Sequence, residues 1–137
     1  MSESVEGADI VGALLLDFAE LKPIVSAGQI KIGALPESAP LPQILLTTTS
    51  TVERKPLKRG ERVRTVERVS VKVRADNLRD ARLLRRLVVR CCAHRTGDLG
   101  GGSAVSITTD GAGPEGIGLG GAFERTQDLR VSHDVAV

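Results

Sequence analysis

The sequence predicts an α+β fold: a small mixed, mainly antiparallel sheet with two flanking helices and a long charged β-hairpin. Three observations carry this. RVSVKVRA (68–75) alternates apolar and polar residues with the period of two of a half-buried strand. DNLRDARLLRRLVVRCCAH (76–94), which follows directly, repeats apolar residues at helical spacing. QILLTTTSTV (43–52) is rich in β-branched residues, and the charged ERKPLKRGER between the two strands, with Pro56 and Gly60, reads as the turn of a hairpin. At 137 residues the chain has room for one domain, taken as 1–137. Phe18 and Phe123 are its only aromatic residues, so the core is built from Leu, Val, Ile and Ala. Such a core is modest, and association strengthens it.

The elements follow in order. Residues 1–8 read as a flexible, acidic N-terminus. DIVGALLLDFAE (9–20) places Ile10, Leu14, Phe18 and Leu21 on one face, which predicts a short amphipathic helix capped by Asp9 and stopped before Pro23. QIKIG (29–33) is a brief strand. ALPESAPLP (34–42) holds three prolines in nine residues, including Pro36 and Pro42, and reads as a stiff extended connector. The hairpin strands come next, with a mobile basic tip expected over 53–62. The second strand is secure from Val69 through Val71 and Val73 to Ala75; upstream, Val66 and Glu67 break its phase. In the 76–94 helix, Asp76 or Asn77 serves as the cap and Ala81, Leu84, Leu87, Val88 and Cys91 form the buried stripe, with Arg82, Arg86 and Arg90 on the other side. Two glycine-rich loops (97–103 and 111–122) flank a strand at 103–110, and AFERTQDLRVSHDVAV supplies the last strand.

Charge is unevenly placed along the chain. Residues 53–95 hold 15 of the 19 Lys and Arg but only five of the 17 acids, a net +10, and the remainder carries −8. A chain with both signs is suited to meet copies of itself, basic patch to acidic patch, whereas a nucleic-acid module shows a basic excess overall. The acidic start and the short apolar run Ile10–Leu16 predict neither a signal peptide nor a membrane span, and the adjacent Cys91 and Cys92 predict no disulfide framework. Production in the cytoplasm is the expectation.

Motifs with chemical potential are weak. GAGPEG (111–116) and GIGLGG (116–121) satisfy G-x-G-x-x-G, but Pro114 intrudes and no helix-forming run follows to receive a pyrophosphate. CCAH (91–94) lacks the spacing and the fourth ligand of a zinc site; burial of Cys91 beside a partly exposed Cys92 is the expectation. Ser132, His133 and Asp134 are consecutive, and neighbours on a strand point to opposite faces, so they form no relay. Asp98, Asp110 and Glu115 have nothing to fix an oxygen cage for a divalent cation. No catalytic residue, metal site or cofactor is assigned. The basic hairpin and the helix arginines form a possible phosphate track, but no aromatic residue is available there to stack on bases.

In order and spacing, GQIKIGALPESAPLPQILLTTTS, a charged hairpin, RVSVKVRADNLRDARLLRRLVVRCC and a glycine-rich segment leading to ERTQDLRVSHDV resemble the tail-terminator (tail-completion, head-to-tail joining) proteins of long-tailed bacteriophages and related prophage or gene-transfer particles. The matching positions are Ile30, Leu35, Pro36 and Pro42 in the link, Val71, Val73 and Ala75 entering the helix, and Gln127 to Val131, with Asp128 and Arg130, in the final strand. The chain departs from the family in its doubled cysteine and in Leu129 and Ser132, where aromatic residues are common. The resemblance implies a small subunit of the virion neck, assembled in the host cytoplasm. Copies form a ring, commonly a hexamer, at the head-proximal end of the tail tube, contacting tube protein and the head connector or head-completion protein. Genome DNA passes without specific recognition and no reaction is involved. Arg54, Lys55, Lys58, Arg59, Arg62, Arg64, Arg82, Arg86 and Arg90 are then the expected contacts with neighbouring subunits or the tube. The alternatives are a nucleic-acid-binding module using the basic hairpin, or another head–tail neck protein.

Overall fold

The structure, a computed structural model, describes residues 5–36, 39–54 and 62–136. Helix α1 (Gly7–Leu16) is followed by strands β1 (Ile30–Ile32), β2 (Gln43–Arg54) and β3 (Arg62–Ala75), helix α2 (Leu78–Cys92), and strands β4 (Thr96–Gly97), β5 (Ser103–Ala112), β6 (Gly116–Ile117) and β7 (Phe123–Ala136). The strands form one sheet in the order β1-β2-β3-β7-β5-β4, with β6 beside the start of β7. β1 lies parallel to β2 and the other pairings are antiparallel, so the sheet is mixed and mainly antiparallel, as the sequence predicts.

Both helices cover one face of the sheet. Ala8, Ile10, Val11, Leu14 and Leu15 of α1 and Ala81, Leu84, Leu87, Val88, Cys91 and Cys92 of α2 pack onto Ile44 and Leu46, onto Val69, Val71, Val73 and Ala75, and onto Val105, Ile107, Leu129 and Val131. Burying each large aliphatic side chain in this layer contributes about 1.5–3 kcal/mol. In the long hairpin, Ile44 faces Val73 and Leu46 faces Val71; the register shifts between Thr48 and Ser50, a bulge that turns the outer half of β2 over relative to the core.

Several boundaries differ from the expectation for physical reasons. α1 starts at Gly7, inside the stretch read as a flexible 1–8, and Gly7 and Ala8 are buried. Its N-cap is Glu6, and Asp9 closes a capping box by accepting from the Glu6 N–H at 2.9 Å instead of serving as the cap. The helix ends at Leu16, and residues 18–25 continue as turns that still bury Leu21 and Val25. β3 runs back to Arg62 without a break in phase, because Thr65 and Glu67 occupy core-facing positions. The glycine-rich stretches shrink: Gly97 belongs to β4, Gly111 and Ala112 to β5, and Gly116 and Ile117 to β6. α2 is capped by Asn77, whose side chain accepts from the Asp80 N–H at 2.9 Å.

Candidate functional site

The sheet face turned away from the helices carries the charge. Alternation along β3 puts Arg64, Arg68, Ser70, Lys72 and Arg74 there, and the β3–β7 register sets them beside Asp134, Arg130, Asp128, Thr126 and Glu124. The pairs lock across strands. Arg64 reaches Asp134 at 3.1 Å; Arg68 reaches Asp128 at 2.8 Å and Asp110 of β5 at 3.6 Å; Arg74 reaches Glu124 at 2.9 Å. Ser70 donates to the other oxygen of Asp128 at 2.8 Å, and Arg130 approaches Asp110 at 3.5 Å. Near the hairpin turn this face forms a trough of about 330 Å³ lined by Val52, Arg54, Val66, Arg68, Asp110 and Arg130 among others. Arg74 is buried; the more exposed pairs at Arg64 and Arg68 contribute about 0–1 kcal/mol each, so they orient the surface more than they stabilise the fold.

The helix arginines behave differently from one another. Arg82 grips Glu115 with two hydrogen bonds, at 2.6 and 3.0 Å, and Arg125 of β7 bonds the same carboxylate. The bond from Arg82, with the nearby positive charges, holds the Glu115 carboxyl below the usual carboxylate range. Arg90 reaches Glu20 at 2.7 Å, while Arg86 is exposed. Arg85, on the inner side, donates to Gln127 at 2.9 Å.

The site residues named from sequence therefore divide into three groups. Arg64, Arg82 and Arg90 have acidic partners within their own chain. Arg54, Arg62 and Arg86 are exposed and make no ion pair with a described residue. Lys55, Lys58 and Arg59 lie outside the described residues. Of the motif positions, Val71, Val73 and Ala75 are core, Asp128 and Arg130 belong to the charged face, Pro36 is exposed and Pro42 half-buried behind a cis Leu41–Pro42 peptide.

Sequence reasoning missed two clusters. Glu115 serves as the acid that ties α2 to β7; a lone carboxylate in a glycine-dense loop is the only signal of it. Glu67 and His133, 3% and 1% exposed, meet beneath α1, with His133 Nε2 3.3 Å from Glu67 Oε1 and the Gly7 N–H donating to Glu67 Oε2. No sequence signal links residues 66 positions apart.

The weighed chemistry has concrete fates. Cys91 and Cys92 are both buried, so the expectation of a partly exposed Cys92 is corrected: α2 turns both toward the layer under α1, and the Cys91 thiol donates to the Leu14 carbonyl at 3.4 Å. The adjacent Cys91 and burial push the Cys92 thiol far up, whereas Cys92 lowers the Cys91 thiol against the opposing effect of burial. No group of three or more His, Cys, Asp or Glu gathers as for a metal among the described residues. His133 points to the core while Asp134 pairs on the opposite face. Asp98 accepts from the Ala104 N–H at 2.9 Å, so the three loop acids serve separate partners. The glycine-rich segment continues as β6 and a short 3₁₀ turn, with no α-helix to meet a phosphate. No helix of the described residues is long and apolar enough to cross a membrane.

No protein-family model and no curated protein matches the chain. Among solved structures, a chain from the virion of a native gene transfer agent (GTA) particle superposes with a TM-score of 0.63 at 16% identity, over 96% of this chain and 95% of that one. The two chains share a fold from end to end.

Proposed function

We propose that the chain is a virion structural protein of a phage-like or gene-transfer particle, and that it acts as a tail terminator. Copies close into a ring of about six at the head-proximal end of the tail tube, stop tube polymerisation and present a face to the head connector. The observation that carries this reading is the end-to-end likeness in fold to a chain of a gene transfer agent virion, which covers 96% of this chain. The open sheet supports it. β1 pairs with Ile44 to Leu46 of β2, which leaves the outer edge of β2 from Thr47 to Arg54 without a partner strand among the described residues. Such edges are satisfied in rings by head-to-tail contacts that close by rotation.

The test is position and phenotype in particles. A label on the chain is expected at the upper end of the tube, and a deletion strain is expected to build tails of irregular length that fail to join heads. Label on the head-side neck alone assigns a head-completion role instead, and deletion strains with normal, head-joined tails overturn the proposal.

A further inference from the structure

The end of β3 remote from the hairpin turn borders a second concavity. Ala75, Asp76, Asp80, Leu83 and Leu84 meet Ile24 and Pro42 around a groove of about 330 Å³. Ile24 and Leu83 are each 39% exposed, and side by side they leave the groove wall apolar and open. Asp76 and Asp80 stand on its rim. Asp80 bonds Asn77 at the start of α2, and neither acid has a basic partner among the described residues. An apolar wall under two carboxylates fits an apolar side chain flanked by cations.

The chain carries such a segment. Residues 55–61, which join β2 to β3, read Lys-Pro-Leu-Lys-Arg-Gly-Glu, and they are bracketed by the exposed Arg54 and Arg62. This segment cannot reach the groove of its own chain. The 14 residues of β3 separate the two, about 40 Å at the rise of a strand. A seven-residue segment tethered at both ends extends about 12 Å beyond its anchors. The groove of a second copy is under no such restriction.

We propose that this groove receives residues 55–61 of a second copy, with Leu57 entering between Ile24 and Leu83 and the flanking cations meeting Asp76 and Asp80. The contact joins opposite ends of two copies, so it is heterologous and propagates head to tail until rotation closes it. It rests on the ring reading above and supplies that ring's joint.

Two variants of the full chain that each add one cysteine, Leu57→Cys and Leu83→Cys, test it. Cys91 and Cys92 are 2% and 0% exposed and stay silent under native oxidation. Mixing the variants is expected to give a disulfide-linked dimer between them that neither variant gives alone. In parallel, Asp76→Lys, at an exposed position outside the core, is expected to weaken self-association at least about tenfold by light scattering, and Lys58→Glu in the same chain to restore it. Association of the wild-type chain without the mixed dimer, or without rescue, overturns the groove assignment and leaves the ring reading standing. A chain that stays monomeric in solution and is absent from rings in particles overturns both.

Discussion

Glu67 is a carboxylate at a position where the alternation of β3 calls for an aliphatic residue, and it is accommodated because three elements converge on it. His133 faces one oxygen from β7, and the other receives the N–H of Gly7 at the first turn of α1. An added Cβ at Gly7 would collide with the Glu67 carboxylate, so the glycine is there for close approach. The first turn of a helix leaves N–H groups unsatisfied and carries partial positive charge, which a sheet carboxylate relieves. Removing Glu67 orphans both partners in a buried place. Glu67→Ala is therefore expected to lower stability by about 1–3 kcal/mol in urea titration. Replacing Glu67 and His133 together by Leu is expected to cost less than Glu67→Leu alone, since no polar group of the pair is then left buried. A double variant as unstable as the sum of the two single ones contradicts this coupling.

Helix α2 is the element most fully legible from sequence, and the reasons are local. Its cap, its first-turn acid and its apolar stripe all lie within 16 residues, Asn77 to Cys92. The cap is a compact test: Asn77→Ala removes the acceptor for the Asp80 N–H and is expected to cost about 1 kcal/mol, with Asn77→Asp close to neutral, both read from thermal unfolding. The inner half of β3, Val69 to Ala75, is legible for a similar reason, since Val71 and Val73 pair with Leu46 and Ile44 and the helix residues packed on this half are apolar. Its outer half was not. Thr65 and Glu67 hide the alternation, because their burial depends on His133 and Gly7, far away in sequence. β6 and the two residues of β4 were illegible too; segments this short are strands only because β7 and β5 lie alongside them. The α1 boundary slipped because Asp9 suits both a cap and the third position of a capping box, and only the backbone geometry of Glu6 decides between them.

At the scale of the whole molecule, the separation of charge along the chain nearly disappears in the fold. Residues 53–95 carry +10 and the rest −8, but β3 lies against β7, and α2 lies over the loop that holds Glu115, so basic and acidic segments meet inside one subunit. What the sequence presents as a basic surface is, at Arg64, Arg68, Arg74, Arg82 and Arg90, a set of ion pairs. A phosphate backbone would have to displace these carboxylates, and the gain in counterion release would be offset by the loss of each pair. Among the described residues, Arg54, Arg62, Lys72, Arg79 and Arg86 are exposed and make no ion pair. With Arg64, Arg68, Arg74, Arg82 and Arg90 already paired, affinity for duplex DNA is expected to be weak near physiological salt and to rise at low ionic strength, with a dependence of log K on log salt of roughly −0.9 per phosphate contacted. An electrophoretic mobility series across salt concentrations measures this directly. Tight binding at physiological salt, abolished by neutralising Arg54, Lys55, Lys58 and Arg59, would instead mark the hairpin turn as a nucleic-acid grip. The same four substitutions, on the assembly reading, abolish the joint between copies while DNA affinity at physiological salt is weak before and after, so one set of variants separates the two functions.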